Sequence, residues 1–77
     1  MIKVKIDRGL TFFTGSRQTC YEVDLVEPAR LRTILEVLGI PASEVHLAVI
    51  NGQAAESLDV MVSSRDLIML FPPFGGG

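Results

Sequence analysis

The residues with the clearest chemical potential close the sequence, in the segment LFPPFGGG. Pro72-Pro73 predicts a stiff, polyproline-like step away from a folded body. The glycines Gly75, Gly76 and Gly77 then form a thread without Cβ atoms, and the segment from Pro72 onward could extend roughly 20 Å. Such a thread fits a channel too narrow for side chains and would carry the Gly77 carboxylate to chemistry inside another protein. Two plainer interpretations stay open: a frayed terminus, or a domain boundary at a glycine-rich linker.

The side chains elsewhere offer little catalytic chemistry. His46 is the only histidine, and it lies in a strand pattern, so we expect it to be structural or solvent-facing. Cys20 is the only cysteine and has no neighbouring Cys or His with the spacing of metal ligands. Because Cys20 alternates with Glu22, we expect it on the strand face that points away from the core. The sequence therefore predicts no metal site and no catalytic set within the domain.

The composition limits the classes of function. The chain has 77 residues, of which 48% are hydrophobic, so we expect one folded domain. The net charge is −2 without a run of like charges, which makes nucleic acid an unexpected partner. A single cysteine excludes an internal disulfide and favours a reducing compartment. No apolar stretch reaches membrane-spanning length, and the alternating start does not resemble a secretion signal. We expect a soluble cytoplasmic domain.

Hydrophobic periodicity predicts two strands and then a helix. Residues 2–7 and 19–25 alternate between apolar and polar side chains, which predicts a hairpin of half-buried strands. The turn between them contains three apolar residues that either cover an end of the core or form a contact surface: Leu10, Phe12 and Phe13. One helical face is shared by Leu31, Ile34, Leu35 and Leu38. Pro28 suits the first helical position and Gly39 the left-handed position after the end, so we place the helix at residues 28–38.

The second half of the chain predicts a hairpin and a last strand. Residues 45–50 form a β-branched strand that leads into Asn51-Gly52, a strong hairpin signal, and residues 53–55 return. Residues 56–65 read as irregular, and residues 66–71 form the last strand, which Pro72 ends. This order predicts an α+β, β-grasp domain, with a mixed four- to five-stranded sheet on one main helix. The first and last strands should be parallel neighbours. We divide the chain into this domain, residues 1–71, and a tail, residues 72–77.

The last strand and the 45–50 strand are apolar on both faces, whereas one helix covers only one face of a sheet. Beneath the helix we place Leu67, Met69 and Phe71. This choice leaves Ile68, Leu70 and Val49 as an exposed apolar patch, with Leu47 at its margin. Exposed apolar patches mark interaction sites, so partner binding is assigned to Val49, Ile68, Leu70 and Phe74. The expected state is a monomer, and a weak homodimer that covers the patch is the alternative.

The whole chain resembles the ubiquitin-like sulfur carriers, namely the small subunit of molybdopterin synthase and the sulfur carrier of the thiamine pathway. The resemblance depends on the β-grasp order, on VINGQ after the helix and on the ending RDLIMLFPPFGGG. The PPF step is more similar to the molybdopterin branch, and the short connection GIPASEVH to the thiamine branch. Two features depart from the family. Arg65 stands where glycine is usual, which predicts a different turn or left-handed strain, and Gly75 adds a glycine before the usual pair.

The resemblance implies a carrier or co-substrate, not an enzyme, with no bound cofactor. A ubiquitin-activating-like partner would use ATP to adenylate the Gly77 carboxylate, and a persulfide or sulfide would replace AMP to leave a thiocarboxylate. A sulfur-accepting synthase would then take the sulfur for molybdopterin (molybdenum or tungsten cofactor) or thiamine-type biosynthesis, and the chain could be the small subunit of such a complex. Passage of the tail would depend on Pro72, Pro73, Gly75 and Gly76. Two alternatives stay open: a protein modifier joined to lysine through Gly77, and a non-catalytic interaction domain.

Overall fold

The computed structural model describes residues 1–73, and residues 74–77 lie outside the described part. The strands are β1 (Ile2–Ile6), β2 (Cys20–Val23), β3 (Ala29–Arg30), β4 (Leu47–Ile50), β5 (Gln53–Ala54), β6 (Met61–Val62) and β7 (Ile68–Phe71). The α-helices are α1 (Thr11–Thr14) and α2 (Leu31–Leu38), and single 3₁₀ turns cover Arg8–Leu10 and Ala42–Glu44. No helix in residues 1–73 combines the length and apolar character that crossing a membrane requires.

Five strands form one mixed sheet in the order β2-β1-β7-β4-β5, while β3 and β6 form a separate two-stranded ribbon. Strands β1 and β7 are parallel, and Val4 is the neighbour of Ile68. The other pairs in the large sheet, β1–β2, β4–β7 and β4–β5, are antiparallel. The prediction that the first and last strands are parallel neighbours inside a mixed sheet is therefore confirmed, and the α+β fold is of the β-grasp type.

Helix α2 and one face of the sheet enclose the hydrophobic core. The alternating residues of β1 supply Ile2, Val4 and Ile6, which are almost completely buried. The helix contributes Leu31, Ile34 and Leu35 at the positions that the 3.6-residue period predicted. Burial of each of these side chains stabilises the folded state by about 1.5–3 kcal/mol. The core therefore depends on the contact between the helix and a single face of the sheet.

The start of the main helix differs from the prediction, whereas its end agrees. The helix begins at Leu31 and not at residue 28, because Ala29 and Arg30 pair as a strand with β6. The amides of Leu31 and Arg32 donate to the carbonyls of Val60 and Leu58 at 3.0 and 2.8 Å, so a neighbouring segment satisfies donors that a cap would otherwise serve. Pro28 thus precedes a strand and does not open the helix.

A Schellman-type turn ends the helix at the predicted residue. Gly39 has a φ of 78° and donates to the carbonyl of Glu36. Ile40 donates to the carbonyl of Leu35 at 2.9 Å, and its side chain returns to the core. Glycine is favoured here because a Cβ at this position would lie 3.3 Å from the Phe13 carbonyl oxygen, in a backbone conformation that is already unfavourable for other residues.

The β4–β5 hairpin turns at Asn51-Gly52, where both residues have positive φ, as the sequence predicted. The Asn51 side chain donates to Asp66 Oδ1 at 2.8 Å and accepts from the Leu67 amide at 2.9 Å. Asp66 Oδ2 accepts from the Ser63 amide at 2.8 Å. We call these contacts the Asn51–Asp66 clamp, because they attach the hairpin to the turn that leads into β7.

The turn before β7 also decides the prediction made for Arg65. Among the described residues other than glycine, only Asn51 has a positive φ. The predicted left-handed strain at Arg65 is therefore wrong. An ordinary turn forms here because Asp66 receives the Ser63 amide on its carboxylate, and the Asp66 amide donates to the Ser63 carbonyl at 3.0 Å.

Candidate functional site

The candidate site lies on the face of the large sheet opposite α2, which we call the open face. Successive side chains of a strand point to opposite faces, so each strand that supplies the core also supplies the open face. Strands β1 and β2 contribute polar side chains: Lys3, Lys5, Cys20 and Glu22. Strands β4 and β7 contribute apolar side chains: Leu47, Val49, Met69 and Phe71. The open face therefore has one polar half and one apolar half.

The apolar half is built from two cross-strand pairs. Leu47 is the register neighbour of Phe71, and Val49 is the neighbour of Met69. We call these four residues the apolar strip. Leu47 is exposed and the other three are half-buried, so the strip presents a continuous apolar surface across two strands. Such a surface is typical of a protein interaction site.

The structure corrects the predicted patch at β7. Ile68 and Leu70 are both 0% exposed, so the prediction that they are solvent-accessible is wrong. The cause is the parallel register, which sets Ile68 beside Val4 and Leu70 beside Ile6, on the buried face of β1. Of the three described residues that the prediction assigned to partner binding, only Val49 lies on the open face.

Because of the same register, the residues that were predicted to lie beneath the helix do not lie there. Met69 and Phe71 belong to the apolar strip, and Leu67, just before β7, is 58% exposed. Their positions follow from the pairing of Lys5 with Met69, since the lysine cannot face the core. The exposed apolar surface of β7 is therefore formed by Met69 and Phe71, and not by Ile68 and Leu70 as predicted.

The polar half of the open face forms a shallow groove of about 700 Å³. Its lining includes Lys3, Lys5, Cys20, Glu22 and Leu67. The ion pairs within residues 1–73 join Met1 to Glu27 and Arg32 to Asp59, so neither lysine of the groove is paired with a described carboxylate. The apolar strip is therefore bordered on the β1 side by positive charge that is available to a partner.

The chain leaves the sheet directly beside the apolar strip. The amide of His46 donates to the Phe71 carbonyl at 2.9 Å, and the amide of Asp7 donates to the Leu70 carbonyl at 2.9 Å. These bonds hold the β7 backbone from both sides up to its last residue. Pro72 follows at once, half-buried, and Pro73 is exposed. A protein that holds the segment after Pro73 would therefore be adjacent to Phe71 and Leu47.

Several residues predicted to act with the tail lie outside the described part of the chain: Phe74, Gly75, Gly76 and Gly77. Of the tail residues, the structure places only Pro72 and Pro73. The described residues hold no group of three His, Cys, Asp or Glu side chains that could bind a metal ion. His46 is exposed beside β4, and Cys20 is exposed on the open face, where the alternation with Glu22 predicted it.

Hydrogen bonds lower the pKa of three carboxyl groups, all of which stabilise turns or pairs of segments. The Asn51 side chain and the Ser63 amide lower the pKa of Asp66. The Arg32 guanidinium lowers the pKa of Asp59, and the Ser64 amide lowers the pKa of Glu27. These carboxylates favour the ionised form, so they are suited to structural contacts and not to donating a proton near neutral pH.

The comparison with protein families identifies the type of domain. A model of the family described as Mut7-C ubiquitin matches residues 2–76, almost the whole chain. The chain belongs to the Mut7-C ubiquitin family. This ubiquitin-like family is related to the sulfur carriers of the molybdopterin and thiamine type, so the resemblance stated from the sequence is confirmed at this level. No curated protein and no solved structure matches the chain.

In this Mut7-C ubiquitin domain, the residues of the candidate surface that the sequence missed are Met69 and Phe71. The sequence pattern predicts both in the core, because residues 68–71 are apolar at every position. The sequence does contain information that could identify the exposed side of β7, because Lys3 and Lys5 show which side of β1 faces solvent. To transfer this information from β1 to β7, one must know which residues of the two strands are paired, and a single sequence does not give that register. Small ubiquitin-like domains of this kind are typically non-catalytic carriers.

Proposed function

We propose that this Mut7-C ubiquitin chain is a sulfur carrier whose reactive group is the Gly77 carboxylate. The supporting observation is geometric: β7 runs from the core straight into Pro72-Pro73, and the apolar strip lies beside this exit. One partner can therefore bind the strip and receive the residues that follow Pro73. The relation of the family to sulfur carriers supports the same function. The sulfur acceptor is a molybdopterin- or thiamine-type synthase.

The proposed chemistry takes place at the carboxylate and within partner enzymes. A Gly77 carboxylate oxygen attacks the α-phosphorus of ATP, pyrophosphate leaves, and an acyl adenylate forms. A hydrosulfide ion then attacks the acyl carbon, the bond from this carbon to the AMP oxygen breaks, and a thiocarboxylate remains. The tail must only be narrow enough to enter the catalytic channel, which is why glycine at positions 75–77 matters. No side chain of this chain acts as a base, and ATP binds to the partner.

The apolar strip gives the activating enzyme a docking surface. Val49, Met69 and Phe71 are half-buried in the isolated domain and become fully buried in the proposed complex. Burial of this apolar area stabilises the complex, while the tail determines which carboxylate reacts. Phe74, next in the chain, is assigned to the same contact. We place the reaction in the cytoplasm and propose that the carrier acts as a monomer, because a homodimer through the strip would block docking.

The test is ATP–pyrophosphate exchange with a ubiquitin-activating-like enzyme. Wild-type protein should support exchange, whereas Gly76→Val should block it by steric exclusion. Deletion of Gly77 should block it because the new terminal carboxylate, on Gly76, lies one residue short of the position that Gly77 reaches. Both variants should retain the melting temperature of the wild type, because positions 76 and 77 follow the sheet and the core. Undiminished exchange in either variant would show that Gly77 is not the reactive group.

The intact mass of the protein from its native host separates the remaining candidates. One terminal oxygen replaced by sulfur supports the carrier. Covalent conjugates linked from Gly77 to lysine would establish the protein modifier in its place. An unmodified terminus at Gly77, together with no exchange, would favour the interaction domain. A chain that continues beyond Gly77 in the native host would overturn the proposal directly, since the reactive carboxylate would not exist.

A further inference from the structure

The turn between β1 and β2 carries a second exposed surface at the tail exit. We call residues 8–17 the basic loop, because its charged side chains are Arg8 and Arg17. The loop begins next to β7, since the Asp7 amide donates to the Leu70 carbonyl at 2.9 Å. A cleft of about 340 Å³ is lined jointly by Lys5, Arg8 and Phe71. Whatever contacts the chain as it leaves Phe71 is therefore within reach of the basic loop.

The basic loop is held in one shape by its own contacts. Asp7 accepts a hydrogen bond from the Gly9 amide at 2.9 Å, and the Thr11 hydroxyl donates to the Arg8 carbonyl at 2.7 Å. Leu10 is completely buried in the core, and Phe13 packs against the core. The loop is thus anchored at its first turn and at its middle, so a partner would meet a largely preorganised surface with little entropy to lose.

Phe12 projects from this anchored loop and is 85% exposed. Its ring meets the ring of Phe13 edge to face, with centroids 5.2 Å apart and an interplanar angle of 87°. This contact stabilises the orientation of the exposed ring. The sequence allowed the aromatic residues of the turn either to cover the core or to form a contact surface, and the structure divides these roles between Phe13 and Phe12.

Arg8 and Arg17 face a common cleft of about 360 Å³, with Thr11 as its third lining residue. Neither guanidinium forms an ion pair with another described residue. The nearest acid in sequence, Asp7, already accepts the Gly9 amide with its carboxylate. The Thr11 hydroxyl donates inward to a carbonyl, so the two arginines are the donors available to a ligand. Guanidinium groups match carboxylates in a two-point geometry.

We propose that the basic loop is a second docking element, which binds an acidic segment of the protein that receives the tail. Carboxylates of the partner enter the cleft between Arg8 and Arg17, and an apolar partner side chain covers Phe12. Aromatic and arginine side chains are enriched at protein interfaces, which this composition matches. Nucleic acid is disfavoured because the chain as a whole has a net charge of −2. Only the identity of the partner as the activating enzyme depends on the proposed function.

The first experiment tests the cleft without any assumption about the tail. Amide-resolved NMR of the full chain is titrated with a synthetic peptide of four glutamates around one leucine, and with a peptide in which glutamines replace the glutamates. We expect the acidic peptide to shift the amides of residues 8–17 and the glutamine peptide to leave them unchanged. The double variant Arg8→Gln/Arg17→Gln should lose the response, and Arg65→Gln, an exposed arginine elsewhere, should keep it.

Two results of this titration would overturn the proposal. Equal responses in Arg65→Gln and in the double variant, or the absence of shifts at residues 8–17, would show that the cleft does not bind carboxylates. Inorganic phosphate that produces the same shifts at the same concentration would show a small-anion site and not a protein-docking element. The substitutions change exposed side chains, so folding is checked simply from the dispersion of the same spectra.

The second experiment identifies the partner. In the exchange assay the double variant should raise the KM for the carrier about tenfold, which corresponds to about 1.4 kcal/mol of docking energy, and leave kcat unchanged. Added salt should reduce the difference from wild type, because it screens exposed charges. An unchanged KM overturns the assignment to the activating enzyme. No exchange with the wild type would instead overturn the proposed function, while the peptide titration would still decide whether the loop binds acidic segments.

Discussion

The two faces of β7 carry equally apolar residues, but one face is buried in the core and the other is partly exposed to solvent. Ile68 and Leu70 are completely buried under the helix, whereas Met69 and Phe71, between and after them in the chain, form half of the apolar strip. Hydrophobicity along the strand therefore does not determine which side becomes the core. The neighbouring strand determines it, because β1 carries Lys3 and Lys5 on one side only and pairs with β7 in a fixed register.

This difference also indicates what each face contributes. The buried face supplies the free energy that keeps the domain folded, and the helix is its partner within the chain. The open face keeps apolar side chains partly in contact with water, which adds little stability to the isolated domain and favours association. An apolar strip beside the tail exit fits a surface that is completed by another protein, so the two faces should respond differently to the same substitution.

The largest expected effect comes from a charge on the buried face. Leu70→Asp should unfold the domain, because it removes a core leucine and buries an unpaired carboxylate at a combined cost of at least about 4 kcal/mol. A domain of this size has a free energy of unfolding of about 4–12 kcal/mol. Phe71→Asp, one residue further, should lower stability by no more than about 1.5 kcal/mol. Urea unfolding followed by circular dichroism measures both.

The outcome of this pair decides the assignment of the faces. A folded Leu70→Asp protein together with an unfolded Phe71→Asp protein would reverse it and restore the patch predicted from the sequence. Leu70→Ala serves as the milder control, since a cavity alone should cost about 2–5 kcal/mol and leave a measurable transition.

Most of the fold could be predicted because its signals are local. The alternation in β1, the apolar period of α2, Gly39 after the helix and the Asn51-Gly52 turn each specify a conformation through neighbouring residues. The β-grasp order then follows from the sequence of elements. The start of the helix was misplaced because a two-residue strand such as Ala29–Arg30 has no period, and Pro28 fits both a strand approach and a first helical turn.

The candidate site was predicted less well because it depends on contacts between distant residues. The choice between Leu70 and Phe71 requires the pairing of residue 70 with Ile6 across most of the chain. The role of Arg8 and Arg17 requires their convergence on one cleft, and sequence spacing alone does not show this. The tail prediction concerns residues 74–77, which lie outside the described part, so it stays a prediction.

A smaller effect should distinguish docking from stability on the open face. Met69→Glu should change the free energy of unfolding by less than about 1 kcal/mol, since the side chain is only half-buried. In the exchange assay it should raise the KM for the carrier about tenfold by placing a charge in an apolar contact. Val37→Glu is the matched control, because Val37 is 56% exposed on the outer side of α2. Equal KM values for the two variants would show that docking does not use the apolar strip.

The Asn51–Asp66 clamp should make the stability of the domain sensitive to acid. Hydrogen bonds lower the pKa of Asp66 in the folded state, so its contribution to stability is complete above the ordinary carboxyl pKa, near 3.9, and is lost as the pH falls through the lower folded value. Asp66→Asn should lower stability by about 1 kcal/mol at neutral pH.

This variant should also reduce the pH dependence of stability between pH 5 and pH 2, measured as urea midpoints. Asp59 and Glu27 also have lowered pKa values, so part of the dependence should remain. A variant that follows the wild-type curve with an unchanged slope would show that the clamp is not formed in solution.

The smallest effect is expected at Cys20, on the polar half of the open face. Cys20→Ser should alter stability by less than about 0.5 kcal/mol, as for most exposed positions. Pyrophosphate exchange should also be unchanged, because the thiol is neither in the apolar strip nor in the basic loop. A loss of exchange would give this cysteine a part in the reaction and would extend the functional surface to the groove formed with Lys5.

The pairing of β1 with β7 has a consequence for biosynthesis. A ribosome releases the first strand long before the last, so β1 and β2 can pair early in synthesis. The other edge of β1 remains unpaired until residues 68–71 have been made. Until then Ile2, Val4 and Ile6 cannot complete their core, and the nascent chain exposes an unpaired strand edge that invites aggregation. Folding is therefore expected to finish in a single late step, more slowly than in a helical bundle of equal length, because the decisive contact joins distant parts of the chain.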